Sequence, residues 1–413
     1  MKRPIREYTP VDTALAQVLS KIRVARKAET VSSLAAYGRV QAEDVPAPND
    51  VPPFPTSHWD GYAVIADDLR GANDSNPVTL KVVGRVGPGG RSMSSIAPGE
   101  AFQVVTGAPL PSGADAVVPS ESALRKGERV LVREPVKRGS HVYAAGEDVK
   151  KGEVILPRGQ PIRAQDLGLL ISLGVPRTRV WKRPKVSVIA TGSELTDAGK
   201  PEPGKVVNSH SPVFLRLCHG LGCVPIDLGI ARDSKPEISK RLRRGLATSD
   251  LVMTLGGTSA GERDHVAESI ESLGPAVLVH GIKMDRGRVA GIGVVGTKPV
   301  LVMPGPIQGA MNAFLLLGLP VIEVLRGARV RGAEITCSFN EPWEARKRYA
   351  DFRKVVYVKT NDGFDTATPL GAETESMKVL GEADGYVVVP ENVTRIDAGE
   401  RALVRLLPGL SYP

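Results

Sequence analysis

The sequence predicts a multidomain α/β plus β protein, in which a three-layer α/β domain with a parallel-rich sheet is joined to smaller β units. Three observations predict it. At 413 residues the chain exceeds the length at which one core stops growing, roughly 250 to 300 residues. Between Pro184 and about Gly327, near-continuous apolar runs alternate with amphipathic stretches, as strands covered on both faces alternate with crossover helices. On either side, short alternating runs are broken by Gly and Pro, the pattern of small all-β units. A content of 42% hydrophobic and 24% charged residues excludes disorder.

Each element follows from local chemistry. Thr9-Pro10-Val11-Asp12 predicts a helix start, with Thr9 capping, Pro10 at the first helical position and Asp12 in the first turn. Val11, Leu15, Val18, Leu19 and Ile22 then share one face. The prolines between Val45 and Pro55 forbid helix and impose an extended path, which suits a crossing between domains. Strands are expected at 78–83, 101–105, 116–119 and 129–132, with no helix among them. A helix is expected at 164–173.

In the α/β region the strands are KVSVIA, VPIDLGI, DLVMTLG, AVLVHGI and PVLVMPG. Helices open at Ser211-Pro212, run from Pro236 to Ala247, lie near Ala267 and run from about Ile307 to Leu317. The tail reads as strands at 351–358, 385–389 and 402–406. The domains expected are 1–50 with 139–178, 51–138, 179–328 and 329–413.

The net charge of +9 is spread over short runs and aromatics are 4%, poor material for stacking bases, so no nucleic-acid partner is expected. Cys218, Cys223 and Cys337 have neither CxxC spacing nor an even count, which fits buried thiols in a reducing cytoplasm. No stretch approaches ~18 continuous apolar residues, so no membrane partner is expected. The six histidines show no paired ligand spacing, and no convincing Ser/His/Asp set stands out.

Three loops follow α/β strands: TGSEL (191–195), GGTSAGERD (256–264) and PGPIQG (304–309). The carboxyl ends of parallel strands form the ligand crevice, so these loops should share one edge. Their backbone amides suit an oxyanion, and Thr191, Thr258 and Ser259 offer hydroxyls. Glu194, Asp233 and Asp264 lie in or beside them, while Asp60 in HWDGY and Asp148 in AAGED lie elsewhere beside glycine. Loop carboxylates beside a phosphate site suit Mg²⁺, which takes oxygen ligands. The alternatives are structural: Asp233 and Asp264 as helix caps, Asp60 as an Asp-Gly turn residue, Glu194 as a dipole partner at a helix start.

The motifs Trp59-Asp60-Gly61-Tyr62-Ala63, VVTGAPLPSGADAVV (104–118), AAGEDVKKGEVIL (144–156), ATGSEL (190–195), LGIARDS (228–234) and LGGTSAGERDH (255–265) stand in the order of one family. The chain resembles molybdopterin molybdenumtransferases, the MoeA and gephyrin E-domain family, across nearly its full length. The resemblance implies an elongated N-terminal linker region, an inserted β domain, an α/β molybdopterin-binding domain and a C-terminal β-barrel-like domain. It implies a homodimer with the active site at the interface, and contact with the molybdopterin adenylyltransferase. The implied reaction inserts molybdate, or tungstate, into adenylylated molybdopterin with Mg²⁺-dependent release of AMP.

On that resemblance Asp60, Thr106 and Asp148 form one wall of the catalytic cleft and Glu194, Asp233 and Asp264 the other, contributed across the dimer. Asp60, Glu194, Asp233 and Asp264 are the implied metal ligands. Substrate contacts fall to Thr191, Gly192, Ser193, Gly256, Gly257, Thr258, Ser259, Lys283, Arg286, Arg288, Pro304 and Gly305. The chain departs from the family at Ser57-His58-Trp59, where small residues and Met are usual. It departs again at 283–288, where a Pro-Gly-Lys-Pro loop is usual, and at 304–309. A cofactor-binding or carrier paralogue without transferase activity is the alternative reading.

Overall fold

The computed structural model describes residues 7–87, 89–90, 95–197, 199, 201–257, 265–330, 332–371 and 376–407. The chain divides into two compact units: a smaller one of Thr30–Tyr37 and Gln41–Arg179, and a larger one of Met1–Glu29, Gly38–Val40 and Val180–Pro413.

The smaller unit is built on a six-stranded sheet. Its order is Ala116–Pro119, Gly61–Val64, Glu100–Val104, Val78–Val86, Arg129–Val132, Ala123–Lys126. Two strands are additions to the expected set. GYAV (61–64) shows no alternation because all four residues are buried, Tyr62 and Val64 in one core and Ala63 in another. ALRK (123–126) is a largely exposed edge whose charges mask it.

The helix Ala164–Ser172 starts on a capping box. Asp166, only 4% exposed, accepts from the Arg163 backbone N–H at 2.8 Å and from its guanidinium at 3.0 Å through each carboxylate oxygen. The Arg163 side chain thereby holds the Asp166 carboxyl below its ordinary value. A carboxylate depressed in the folded state stabilises above its unfolded pKa, and that contribution is lost as pH falls through the folded one. Asp166→Ala is therefore expected to cost about 1–2 kcal/mol at pH 7 and clearly less at pH 3, read from urea melts at both.

In the larger unit the α/β elements are β1 (Lys185–Thr191), α1 (His210–Gly220), β2 (Val224–Ala231), α2 (Lys235–Thr248), β3 (Leu251–Leu255), α3 (His265–Glu271), β4 (Val277–His280), β5 (Gly291–Val295), β6 (Lys298–Met303), α4 (Ile307–Ala313) and α5 (Leu319–Arg326). The sheet order is β2-β1-β3-β6-β5-β4. The first four strands are parallel, and β5 runs antiparallel to both its neighbours. One face packs Ile189, Leu228, Val252 and Val300 against Ile238, Leu242 and Ile270 of α2 and α3. The other packs Val188, Met253 and Leu301 against Phe214, Phe314 and the N-terminal helix Val11–Leu19. These are the three expected layers.

Three local expectations are corrected. Pro10, not Thr9, is the N-cap, and Thr9 instead pairs with the 281–283 segment, its N–H donating to Gly281 O at 2.9 Å. The strand β5 (GIGVV) went unrecognised because Gly291 and Gly293 supply no side-chain pattern. A Cβ at Gly293 would lie 2.7 Å from Val277 O, so close approach to β4 requires the glycine. The last helix continues past Leu317 through a π-turn, Phe314–Gly318, into α5, where Pro320 falls in the first turn and is tolerated. The run Ile307–Arg326 is long and apolar enough to cross a membrane, but 78% of that window is buried inside the fold, as in a core helix.

The C-terminal part closes a five-stranded barrel in the order Glu334–Phe339, Thr366–Pro369, Lys354–Thr360, Gly385–Val389, Arg401–Leu406. Cys337, Phe339, Val356, Val358, Val387 and Val404 fill it. Cys218, Cys223 and Cys337 are all buried, and burial pushes each thiol above its ordinary value.

Candidate active-site loops

Because β2, β1, β3 and β6 are adjacent and parallel, their following loops leave the same edge of the sheet. The chain steps from β1 to β2 on one side and returns to β3 on the other, which makes the β1/β3 boundary a topological switch point. The loops are pinned to one another there. Gly192 N–H donates to Ala231 O at 3.0 Å, Gly256 N–H to Met303 O at 3.0 Å, and the buried Thr191 hydroxyl to Leu255 O at 3.1 Å. Gly257 has φ +67, and a Cβ there would lie 2.5 Å from Thr191 Oγ1, so only glycine fits between the loops. A Cβ at Gly305 would come within 3.9 Å of Gly256 Cα, which brings the Pro304-Gly305 loop onto the same rim.

Two acids of this rim, Asp233 and Glu194, are not spent on helix ends. Asp233 Oδ2 accepts from Ser193 N–H at 2.8 Å, and Asp233 N–H donates back to Ser193 Oγ at 3.0 Å. The N-cap of α2 is Ser234, so the cap reading of Asp233 is set aside. Glu194 is exposed in the turn before the short strand Leu195–Thr196, not at a helix start, and its carboxylate occupies the space a Cβ on Gly192 would fill, at 2.6–2.7 Å. Lys205 Nζ donates to Ser193 O at 2.7 Å and fixes the turn from the far side. Thr258, Ser259 and Asp264 lie outside the described residues.

The basic loop 283–288 packs against the barrel. Lys283 pairs with Asp351 at 2.9 Å, Arg286 donates to Gln308 Oε1 at 2.8 Å, and Arg288 lies over the Tyr349 ring at 5.2 Å. Arg346 Nε donates to Asp285 Oδ2 at 3.1 Å, its Nη2 closes a second contact on Oδ1, and its guanidinium also covers Tyr349. Asn312 Nδ2 donates to the carbonyls of Asp285 and Arg286 at 3.1 and 2.9 Å, while Tyr357 OH donates to Asn312 Oδ1 at 2.6 Å. A cavity of 360 Å³ opens here, lined by Asp285, Arg286, Gln308, Arg346 and Lys354 among others. Gln308, Asn312, Arg346 and Tyr349 were missed from sequence. The readable signal was Gln308 and Asn312, two polar residues four apart in an otherwise apolar helix and therefore on one face.

In the smaller unit, Asp60 Oδ1 accepts from both the N–H of Thr106, at 2.7 Å, and its hydroxyl, at 2.8 Å. The backbone bond first, and then the hydroxyl, hold this fully exposed carboxyl below its ordinary value. Oδ2 makes no hydrogen bond among the described residues. Asp148 is exposed and shares no hydrogen bond with that pair; its N–H donates to Val51 O at 3.0 Å. Among the described residues, no three His, Cys, Asp or Glu side chains gather as a metal group.

An α/β sheet with glycine loops and acids at its switch point, followed in the chain by a closed barrel and preceded by a β unit, defines a multidomain α/β plus β protein. Three family profiles match it: "MoeA N-terminal region (domain I and II)" over residues 9–174, "Probable molybdopterin binding domain" over 187–324 and "MoeA C-terminal region (domain IV)" over 338–407. A relative named molybdopterin molybdenumtransferase 2, from Mycobacterium tuberculosis, is 31% identical over 94% of this chain and 97% of its own. One from Nostoc, named molybdopterin molybdenumtransferase, is 28% identical over 98% and 96%. The crystal structure of a molybdopterin biosynthesis MoeA protein from Pyrococcus horikoshii superposes with a TM-score of 0.84 at 31% identity, covering 97% of this chain and 99% of that one. The chain belongs to the MoeA family of molybdenum cofactor biosynthesis.

Proposed function

We propose that this chain is a working molybdopterin molybdenumtransferase, which transfers molybdenum from molybdate to the dithiolene of adenylylated molybdopterin and releases AMP. The observation that carries the reading is the Asp60–Thr106 pair. Two hydrogen bonds on one oxygen keep the carboxylate ionised and aimed, and the other oxygen is left for a ligand. A carrier has no use for a carboxylate prepared in this way.

Asp60 Oδ2, Glu194, Asp233 Oδ1 and Asp264 are hard oxygen donors, the chemistry Mg²⁺ takes, with water and substrate phosphate completing the shell. When bound, the cation supplies charge neutralisation and stabilises the departing phosphate oxygen. The protein's own part is positional. The glycine turn at 256–257 leaves the carboxyl edge of the sheet, where an oxyanion would sit, and Lys283, Arg286 and Arg288 supply positive charge. Choice between molybdate and tungstate, contact with an adenylyltransferase and a cytoplasmic setting belong to the same reading.

Purified protein given adenylylated molybdopterin, Mg²⁺ and molybdate is expected to release AMP; tight pterin binding without AMP would make it a carrier. Asp60→Asn is expected to slow release about a hundredfold with an unchanged melting temperature. If the active form is a homodimer whose two walls come from different subunits, mixing that variant with Glu194→Gln restores about a quarter of the wild-type rate, from one intact site in half of the dimers.

A further inference from the structure

We propose that the aromatic turn beside Asp60 is a stacking platform for the adenine ring of the adenylylated substrate, an inference that rests on the transferase reading above. His58 and Tyr143 are in contact, tilted at 41° with ring centroids 4.3 Å apart, and Tyr143 OH and His58 Nε2 share a hydrogen bond of 2.9 Å. Trp59 meets His141 edge to face at 5.9 Å and His58 at 6.4 Å. The four rings form one contiguous cluster, yet they are not core. Trp59 is 47% exposed and Tyr143 39%, in a chain with only 4% aromatic residues.

The backbone beneath them is fixed. His58 N–H donates to His141 O at 2.9 Å, Ser57 N–H to Ala108 O at 2.8 Å, Gly107 N–H to Ser57 O at 2.8 Å, and Ser57 Oγ to Trp59 O at 2.5 Å. His141 holds φ +57, a left-handed conformation uncommon outside glycine, and its ring is the one set against Trp59. Exposed rings on a rigid ladder keep their apolar faces available at little entropic cost, as base-stacking surfaces require.

Position selects the occupant. Asp60, the next residue, carries the oxygen assigned to the pyrophosphate end, and the adenylyl group is the part of the substrate that lies beyond that pyrophosphate and departs. An open platform without amide or carboxylate groups to read a base edge suits a ring that is held briefly and released as AMP. The 2-amino-4-oxo edge of a pterin calls for paired hydrogen-bonding groups, which these four side chains do not supply.

The test is calorimetric titration of the full-length protein with AMP, ribose 5-phosphate and neopterin. AMP is expected to bind more tightly than ribose 5-phosphate. Trp59→Ala should weaken AMP about tenfold, leave ribose 5-phosphate unchanged, and be largely rescued by Trp59→Phe. Equal binding of AMP and ribose 5-phosphate, no AMP binding, or no effect of Trp59→Ala would each overturn the platform. So would a loss confined to neopterin, which would place the pterin there instead. If AMP binds through Trp59 but the protein releases none from substrate, the platform stands and the transferase reading fails; turnover with AMP affinity and KM untouched by Trp59→Ala is the converse.

Discussion

Gly61→Ala is expected to destabilise the smaller unit by about 3–4 kcal/mol and to abolish Asp60-dependent chemistry with it. A Cβ at this position would stand 2.0 Å from Val118 O and 3.1 Å from Pro119 Cα. Both are backbone atoms, so no rotamer change relieves the overlap. Nor can the strand move aside: Gly61–Val64 is paired with Ala116–Pro119 on one flank and Glu100–Val104 on the other. Opening either ladder leaves buried amides unpaired. Ser120 N–H also donates to Asp60 O at 2.9 Å, so a shift of the strand drags the Asp60 turn off Thr106. Denaturant melts should show the loss, while Gly87→Ala, whose Cβ would meet nothing within 4 Å, should stay within about 0.5 kcal/mol of wild type. A Gly61→Ala protein as stable as the control would refute the packing argument.

The same residue shows what could and could not be read from the chain. KVSVIA and DLVMTLG were legible as strands because coverage on both faces demands apolar side chains at every position. GIGVV was not, since there the chain traded side chains for backbone proximity. The helix after PGPIQG was legible only to Leu317, because Gly318 and Pro320 signal an end that a π-turn absorbs.

In the site, the switch-point loops were readable from strand order alone. The hydrogen-bond partners of Asp60 and Asp233 were not. Thr106 lies 46 residues from Asp60, and only the sheet brings its N–H to that carboxylate. Asp233 looked like a cap because it precedes a helix; its actual partner, Ser193, lies 40 residues upstream on the neighbouring strand's loop. Such partnerships belong to tertiary structure, and no local pattern announces them.

Lys354→Met is expected to cost about 3–5 kcal/mol, the second large effect. Lys354 is 2% exposed at the start of a barrel strand, and burial pushes its ammonium below the ordinary lysine value. What compensates is a set of four carbonyls: Ala350 O at 2.6 Å, Val393 O at 2.7 Å, Pro390 O at 3.2 Å and Glu391 O at 3.3 Å. Three N–H donors thus tie the 350 turn to the 390–393 turn across the mouth of the barrel. Methionine keeps most of the stem's volume, so the packing loss is small and the measurement isolates the ammonium. Its removal leaves carbonyls facing a sulfur and a methyl group, which return little of the hydrogen bonding. Taking roughly 2–4 °C per kcal/mol, the melting temperature should fall by about 10 °C. Lys347→Met, exposed in the adjacent turn, should move it by no more than a degree or two. Coincident melts for Lys354→Met and Lys347→Met would mean that water satisfies those carbonyls as well as the ammonium does, and the barrel's two turns would then be held by the strands alone.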